Sequence, residues 1–174
     1  MNERTWMDTA GQREKGAAIV RIDQALPEDA DVIAAMVGEL LDEIMAAVRE
    51  KAFNFHQDDT AARARHWLSD GSYVVLLARV REAAVGFLAL YQSYALYTAG
   101  IYGTIPEFYV RPVYRSRGIG SALISESKRV GQARGWRRLE VTTPPLPQFD
   151  RTLAFYMRHG FTISGGRKLK TELS

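Results

Sequence analysis

The chain has 174 residues, 47% of them hydrophobic, and a formal net charge of +3 at pH 7, which suits one globular domain with a full core. The absence of cysteine excludes a disulfide framework and a cysteine nucleophile. The mildly basic charge fits an anionic small ligand without requiring nucleic acid, and no apolar run is long enough for a membrane span.

Residues 1–16 are polar and contain no apolar segment of the kind found in a secretory signal. We expect them to form a disordered leader ahead of a single domain over residues 17–174. With neither a signal nor a span in the sequence, we expect a cytoplasmic location.

The first half of the chain predicts one strand and two helices. Residues 17–22 predict the strand. Pro27 and the acids after it favour a helix start, and apolar residues at three- and four-residue spacing through Val48 predict a long amphipathic helix. Asp58 and its neighbours favour the start of a second helix that runs to about Leu68.

The second half predicts mainly strands, with two helices between them. The predicted strands cover residues 73–81, 84–96, 107–111 and 137–143, the predicted helices cover residues 119–130 and 150–159, and a final strand or hairpin covers residues 161–173. Short connections among the middle strands imply antiparallel pairing, whereas the helix from Gly118 implies a parallel crossover. The predicted fold is a mixed α/β sheet of six to seven strands with about four helices.

The loop before the helix from Gly118 has the features of a phosphate site. Gly118 and Gly120 open the helix, where free backbone N–H groups and the helix dipole favour an anion. Arg111, Arg115 and Arg117 add charged donors suited to phosphate oxygens. This strand–loop–helix therefore predicts a binding site for a phosphorylated ligand.

Two common phosphate loops do not match this segment. The P-loop requires a Lys-Ser/Thr pair after its last glycine, and Gly120 is followed by Ser121-Ala122. The dinucleotide fingerprint requires a third small residue where Leu123 stands, and Glu140 lies within a predicted strand rather than at its end.

A resemblance to the GNAT acetyltransferase superfamily rests on Arg115-Ser116-Arg117-Gly118-Ile119-Gly120, preceded by Val110-Arg111-Pro112. The superfamily's acetyl-CoA signature is Gln or Arg, two residues, Gly, one residue, and then Gly or Ala. The resemblance covers about residues 17–174 and implies an acetyl-CoA cleft between splayed fourth and fifth strands. The residues that it implies for acetyl-CoA binding are Phe108, Tyr109, Val110, Arg111, Arg115, Ser116, Arg117, Gly118, Ile119, Gly120 and Ser121.

A second motif resembles the same family in its later helix, where Phe155-Tyr156 is followed by three residues and then Gly160-Phe161. The family often has Asn one turn before this helix and Ala four residues before the Tyr. This chain has Phe149 and Thr152 at those places. The alternatives for a contact to the pantetheine are Asp150, Thr142, Thr143 and the backbone alone.

The resemblance implies roles for two side chains in acetyl transfer to an amine. Tyr156 is implied to lie beside the CoA sulfur and to assist the leaving thiolate, with a core tyrosine as the alternative. Glu107 is the candidate base, acting directly or through water, with a solvated strand residue as the alternative. The backbone of Tyr109 and Val110 is implied to pair with the pantetheine arm. Because no cysteine is present to carry an acetyl group, direct attack in a ternary complex is the simplest scheme.

Other polar residues give weaker signals. His56, His66 and His159 are expected on the surface or at a helix end, and no set of His, Asp and Glu has metal-ligand spacing, so no metal is expected. The basic residues around Trp136 are expected to be solvated, and nucleic acid is therefore not an expected partner.

The sequence thus predicts an acetyl-CoA-dependent N-acetyltransferase that acts on a primary amine of a small molecule or peptide. The alternative is a non-catalytic acyl-CoA-binding or regulatory module on the same fold. The identity of the amine and the formation of a homodimer are not readable from the sequence.

Overall fold

The computed structural model describes residues 19–97, 100–165, 168–171 and 173. The leader expected at residues 1–16 lies outside the described residues. The helices are α1 (Ala30–Val48), α2 (Gln57–Ser69), α3 (Ile119–Ala133) and α4 (Asp150–Arg158), with 3-10 turns at Pro27–Asp29 and Pro112–Tyr114. The strands are β1 (Val20–Gln24), β2 (Tyr73–Val80), β3 (Ala83–Ala95), β4 (Gly100–Ile105), β5 (Phe108–Val110) and β6 (Leu139–Val141).

The six strands form one mixed sheet. Its order is β1-β2-β3-β4-β6, and β5 pairs with β3 beyond the end of β4. The pairs are antiparallel except for β4 and β6, which are parallel. A parallel pair requires a crossover connection, which α3 supplies between β5 and β6. This architecture confirms the predicted mixed α/β fold.

Helices cover both faces of the sheet. On one face, Met36 of α1 packs with Leu77 and Phe87 in a buried cluster. On the other face, Leu123 of α3 and Tyr156 of α4 belong to a second cluster. We refer to these two sides as the α1 face and the α3 face.

A β-bulge lies where β4 passes into β5. Leu88 and Tyr91 of β3 are three residues apart, but their partners Phe108 and Thr104 are four residues apart. The β4–β5 segment therefore contains one extra residue. Pro106 lies within this irregular step, and it has no N–H group to lose from the ladder.

The bulge changes the direction of the side chains that follow it. Ile105 belongs to the α3-face cluster and Tyr109 to the α1-face cluster, although residues four apart share a face in a regular strand. Glu107 is hydrogen-bonded to Tyr73, which packs against the α1-face cluster. The extra residue thus turns Glu107 to the α1 face.

The sequence predicted no strand between residues 96 and 107, where the structure forms β4. In the structure Tyr102 pairs with Ser93 of β3. Gly103 next to it is required by packing, because a Cβ atom there would overlap the Trp136 ring. A contact between residues distant in the chain therefore shapes this strand, and local sequence carries little signal for it.

The prediction of a final strand or hairpin over residues 161–173 is wrong for the described part of that segment. This part forms no strand. Ile163, Leu169 and Leu173 are exposed. The segment thus buries little apolar surface to offset the entropy lost on ordering a strand. Residues 166, 167 and 172 lie outside the described residues.

The remaining predicted elements are confirmed with shifts at their ends. β1 ends at Gln24 rather than at residue 22, α3 continues to Ala133, and β6 is shorter than expected. Residues 17 and 18 of the expected first strand lie outside the described residues. Among the helices described, none is long and apolar enough to cross a membrane.

Candidate active site

The sheet opens at the bulge, on the side that faces β6. β4 and β6 run in parallel as far as Ile105 and Val141. Beyond that point β5 stays with β3, and no strand in the described part of the chain pairs with its other side. This is the splay predicted between the fourth and fifth strands, which correspond to β4–β5 and β6.

The open edge of β5 presents backbone groups of Phe108 and Val110. The Glu107 carbonyl and the Arg111 N–H each bond to β3 at 2.9 Å. Because bonding directions alternate along an antiparallel strand, the N–H groups of Phe108 and Val110 point away from β3. Tyr109 lies between them, and its N–H and C=O are directed at β3 rather than at the open edge.

The start of α3 lies next in the chain and presents further N–H groups. Gly118 precedes the helix with φ of +80°, which glycine adopts without strain. Its carbonyl accepts the first intrahelical bond, so the N–H groups of Ile119, Gly120 and Ser121 have no intrahelical acceptor. A Cβ atom at Gly120 would lie 3.2 Å from the Phe155 ring, so glycine lets α4 approach. The helix start thus has the arrangement of an anion site.

Two arginines of the loop bind carboxylates of α1. Arg111 Nη2 lies 2.7 Å from Glu39 Oε1, and Arg115 Nη2 lies 2.6 Å from Glu43 Oε2. Arg115 Nε also donates to the Val110 carbonyl at 2.7 Å. The two side chains therefore attach the loop to α1, and the Val110 N–H remains directed at the open edge.

Arg117 differs from the other two arginines. Its side chain is exposed, and its guanidinium carbon lies 5.7 Å from the centre of the Tyr114 ring. Ser116 before it has φ of +59°, in the left-handed region, which turns the chain toward α3. Arg115 is exposed as well, but among the described residues Arg117 is the arginine of this loop that forms no ion pair with a carboxylate, so its charge is available beside the helix start.

Glu107 lies partly buried on the α1 face, next to the open edge. Its Oε2 atom accepts a hydrogen bond of 2.7 Å from the Tyr73 hydroxyl. Burial raises the pKa of the Glu107 carboxyl, and the Tyr73 hydrogen bond opposes that rise. A raised pKa makes the carboxylate a stronger base, which suits proton acceptance near neutral pH.

Tyr156 is buried on the α3 face among aromatic rings. Ring centres of Phe108, Phe155 and Phe161 lie 6.1, 5.7 and 5.3 Å from that of Tyr156. Burial raises the pKa of the Tyr156 phenol, so the phenol keeps its proton more firmly than in water. Such a group is better suited to donate a hydrogen bond than to give up its proton.

Glu107 and Tyr156 approach β5 from opposite sides of the sheet. Phe108 follows Glu107 in the chain, and its ring packs on the α3 face with Tyr156. The Glu107 side chain lies on the α1 face with Tyr73. A group held along the open edge would therefore have a carboxylate on one side and a phenol on the other.

A cavity of about 860 Å³ extends from Tyr156 toward β6 and α3. Thr142 and Thr143, which follow β6, line the same cavity. Asp150, the third side chain considered for a pantetheine contact, is the first residue of α4. The two threonines thus share a space with the Tyr156 side chain.

The histidines lie at the places expected from the sequence. His56 is exposed before α2, and His66 is exposed with its Nε2 atom 3.6 Å from Asp70. His159 Nδ1 lies 3.0 Å from the Phe155 carbonyl at the end of α4. Across the described residues, no group of three or more His, Cys, Asp or Glu side chains is arranged to hold a metal ion.

A mixed sheet that splays beside a glycine-opened helix is the arrangement of an acetyltransferase fold. The model of the acetyltransferase (GNAT) family matches residues 41–161. Because this match spans more than half of the chain, the chain belongs to the GNAT acetyltransferase family. No curated protein sequence matches the chain.

Solved acetyltransferases share the fold at low sequence identity. Aminoglycoside N-acetyltransferase AAC(6')-Iy in complex with CoA is 16% identical, with a TM-score of 0.75 over 91% of this chain and 97% of that chain. The ribosomal-protein-alanine N-acetyltransferase from Brucella melitensis biovar Abortus 2308 is 24% identical, with a TM-score of 0.66 over 88% and 100%. The aminoglycoside acetyltransferase meta-AAC0020 from an uncultured soil metagenomic sample, in complex with trehalose, is 18% identical, with a TM-score of 0.70 over 89% and 97%.

Sequence reasoning missed three side chains that hold this site together: Tyr73, Glu39 and Glu43. A signal for the glutamates exists, because Glu39 and Glu43 are spaced by four residues, as are Arg111 and Arg115. Two glutamates one helical turn apart can each form an ion pair with one of two arginines that have the same spacing. Tyr73 had no comparable signal, since its partner lies on a strand that is distant in the chain.

Replacement of Tyr73 with phenylalanine tests its effect on Glu107. The change removes the hydroxyl that opposes the rise in the pKa of Glu107, so that pKa should rise further. If Glu107 acts as a deprotonated base, the acid limb of the kcat/KM profile should move to higher pH. The rate should fall by about tenfold on the acid limb, the typical effect of losing one hydrogen bond to a charged group, and the loss should shrink as the pH rises and the carboxyl of the variant loses its proton.

Replacement of Tyr94 with phenylalanine is the control, because Tyr94 is an exposed tyrosine on the same sheet. Its profile should match that of the parent. A Tyr73→Phe profile that superimposes on the parent would remove the hydroxyl from any role in setting the pKa of Glu107.

Proposed function

We propose that the chain is an acetyl-CoA-dependent N-acetyltransferase that moves an acetyl group to a primary amine by direct attack in a ternary complex. The observation that carries the proposal is the placement of Glu107 and Tyr156 on opposite faces of the open β5 edge. Acetyl transfer requires a base for the ammonium proton on one side and a donor for the departing thiolate on the other.

The backbone groups fit an acetyl-CoA molecule. The N–H groups at the start of α3 suit a pyrophosphate, and Arg117 adds a positive charge beside them. The N–H groups of Phe108 and Val110 suit an extended arm that carries amide carbonyls. We assign Arg111 and Arg115 a supporting role, because their guanidinium groups already bind Glu39 and Glu43.

Glu107 accepts the proton of the incoming ammonium, directly or through water, so that the amine nitrogen has a lone pair for attack. The N–H of Val110 then donates to the carbonyl oxygen as negative charge develops on it. The C–S bond breaks as the new C–N bond forms, Tyr156 donates a hydrogen bond to the departing thiolate, and the second proton lost by the nitrogen goes to solvent, which leaves the amide and the CoA thiolate. Because burial raises the pKa of Tyr156, hydrogen-bond donation is favoured over complete proton transfer.

The experiment that tests the function is release of CoA from acetyl-CoA across a panel of small amines and peptides. The chain has no cysteine, so free CoA is the thiol that such an assay detects without a protein background. Amine-dependent release supports the enzyme. Binding of acetyl-CoA without release for any amine would support the non-catalytic acyl-CoA-binding module instead.

Replacement of Tyr156 with phenylalanine should lower kcat by roughly tenfold to a thousandfold, the range for one lost transition-state contact. The ring and its packing remain, so the Kd for acetyl-CoA should change little. The loss should shrink with an acetyl thioester whose thiol is more acidic, since a better leaving group needs less assistance. Phe161, which packs on Tyr156, provides a control as Phe161→Leu.

A Tyr156→Phe enzyme that is as fast as the parent, with chemistry shown to limit the rate, would leave Tyr156 as a core residue. A Phe161→Leu enzyme with the same defect would attribute the loss to packing rather than to the hydroxyl.

A further inference from the structure

The α1 face beside Glu107 carries a row of three aromatic rings, Trp67, Tyr73 and Tyr91, which we call the aromatic row. Tyr73 is the central ring, with centroid distances of 5.4 Å to Trp67 and 6.0 Å to Tyr91. The planes of Tyr73 and Tyr91 differ by 10°, so these two rings are stacked. Trp67 and Tyr91 are 39% and 37% exposed, which leaves ring surface open to solvent.

The row is joined to the carboxylate of Glu107 through the Tyr73 hydroxyl. Tyr73 and Tyr91 face each other across β2 and β3, and Ala89, which shares a face with Tyr91, bonds to the backbone of Glu107. The rings and the carboxylate therefore lie on the same face and at the same end of the sheet. Within the described residues, no lysine or arginine forms an ion pair with Glu107.

The nearby carboxylates on α1 that could bind a polycation already form ion pairs with arginines. Glu39 and Glu43 of α1 are bound to Arg111 and Arg115. The whole chain carries a formal charge of +3, which disfavours the approach of a molecule with several positive charges. The site therefore offers one carboxylate without a cationic partner, flanked by ring faces.

We propose that the acceptor is a monoamine whose ammonium group binds at Glu107 and whose aromatic or other flat apolar group lies on the aromatic row. Ring faces attract a cation and bury apolar surface, so both parts of such a molecule are bound. The proposal rests on the acetyltransferase function and adds the class of substrate. Polyamines and aminoglycosides, which need several carboxylates, are expected to be poor acceptors.

The first experiment compares kcat/KM for three probes: 2-phenylethylamine, ethylamine and spermine. 2-Phenylethylamine should exceed ethylamine by about 30-fold or more, the effect of burying one ring. The kcat/KM for spermine should be lower than that for 2-phenylethylamine even at low salt, where electrostatic attraction is strongest. Equal values for 2-phenylethylamine and ethylamine, or a preference for spermine, would overturn the proposal.

The second experiment removes the exposed rings one at a time. Trp67→Ala and Tyr91→Ala should each lower the preference for 2-phenylethylamine over ethylamine by about fivefold to tenfold, mainly through KM. Tyr94→Ala is the matched control, because Tyr94 is an exposed tyrosine on β3 an odd number of residues from Tyr91 and thus on the opposite face. A preference unchanged in both ring variants would also overturn the proposal.

Calorimetry separates this inference from the function on which it rests. 2-Phenylethylamine and ethylamine are titrated into the parent protein with CoA present, and into Trp67→Ala. If 2-phenylethylamine binds in a way that depends on Trp67 but is not acetylated, the proposed class of ligand is correct and the proposed acetyl transfer is wrong. If other amines are acetylated but 2-phenylethylamine does not bind, the acetyl transfer is correct and the proposed class of acceptor is wrong.

Discussion

Replacement of Glu107 with glutamine is expected to lower kcat/KM by roughly 10²- to 10⁴-fold at neutral pH, the range for loss of a general base. The amine arrives as an ammonium, whose pKa is about 10.4 for a simple alkylamine, and the amide of the variant cannot accept its proton. The defect should shrink as the pH rises toward that value, because more amine arrives uncharged. The measurement is the pH profile of kcat/KM for both enzymes, with the Kd for acetyl-CoA as a check.

The stability of the variant separates loss of a base from damage to the fold. Burial raises the pKa of Glu107 in the folded state, so the protonated form is the one that folding favours. The parent therefore loses stability as the pH rises through the window between the unfolded and the folded pKa, whereas the Gln variant does not. Relative to the parent, Glu107→Gln should be more stable at pH 8 than at pH 4.

Glu82→Gln is the matched control, because Glu82 is an exposed glutamate in the turn between β2 and β3. It removes the same charge and should leave both the activity and its pH profile unchanged. A Glu107→Gln profile parallel to that of the parent at every pH would exclude Glu107 as the base.

Replacement of Gly118 with valine is expected to raise the Kd for acetyl-CoA by about tenfold to a hundredfold. No atom lies within 4 Å of the position that a Cβ atom would take, so space is not the limit. The limit is φ of +80°, which costs a β-branched residue about 1–3 kcal/mol. The loop can relieve this strain only by leaving the left-handed conformation, which would move the N–H groups at the start of α3.

Gly118→Asn provides the comparison, because asparagine tolerates the left-handed region better than other side chains. Calorimetry should find acetyl-CoA binding to Gly118→Asn close to that of the parent and much weaker binding to Gly118→Val. Parent-like affinity in the Val variant would exclude the proposed pyrophosphate position. Equal loss in both variants would attribute the effect to bulk over the N–H groups rather than to backbone conformation.

The parts of the site that were predictable from the sequence are those set by neighbouring residues. Pro112 ends a run of aromatic and β-branched residues, and Gly118 and Gly120 begin a helix, so the strand, the loop and α3 follow from local preferences. The GNAT motifs then indicated the family, which the match to residues 41–161 confirms.

The parts that were not predictable depend on register and on packing between distant elements. A second register shift, between Ala78 and Arg79, determines that Tyr73 faces Tyr91, and a regular hairpin counted from the turn would pair Tyr73 with Leu90. Hydrophobic patterns do not reveal an inserted residue of this kind. In the same way, α1 supplies the carboxylates for Arg111 and Arg115 only once it has packed on the sheet.

The bulge at Pro106 has a consequence for how this chain is compared with other members of its family. A relative that lacks the extra residue would, in a gap-free alignment, match Glu107 to a position whose side chain points through the sheet to the other surface. An identical residue at that alignment position would then not indicate that the two proteins share a catalytic base. Deletion of a single codon in this segment would likewise move the Glu107 side chain to the opposite face of the sheet, although every remaining residue type would be unchanged. The chemistry of this site therefore depends on chain length as much as on composition.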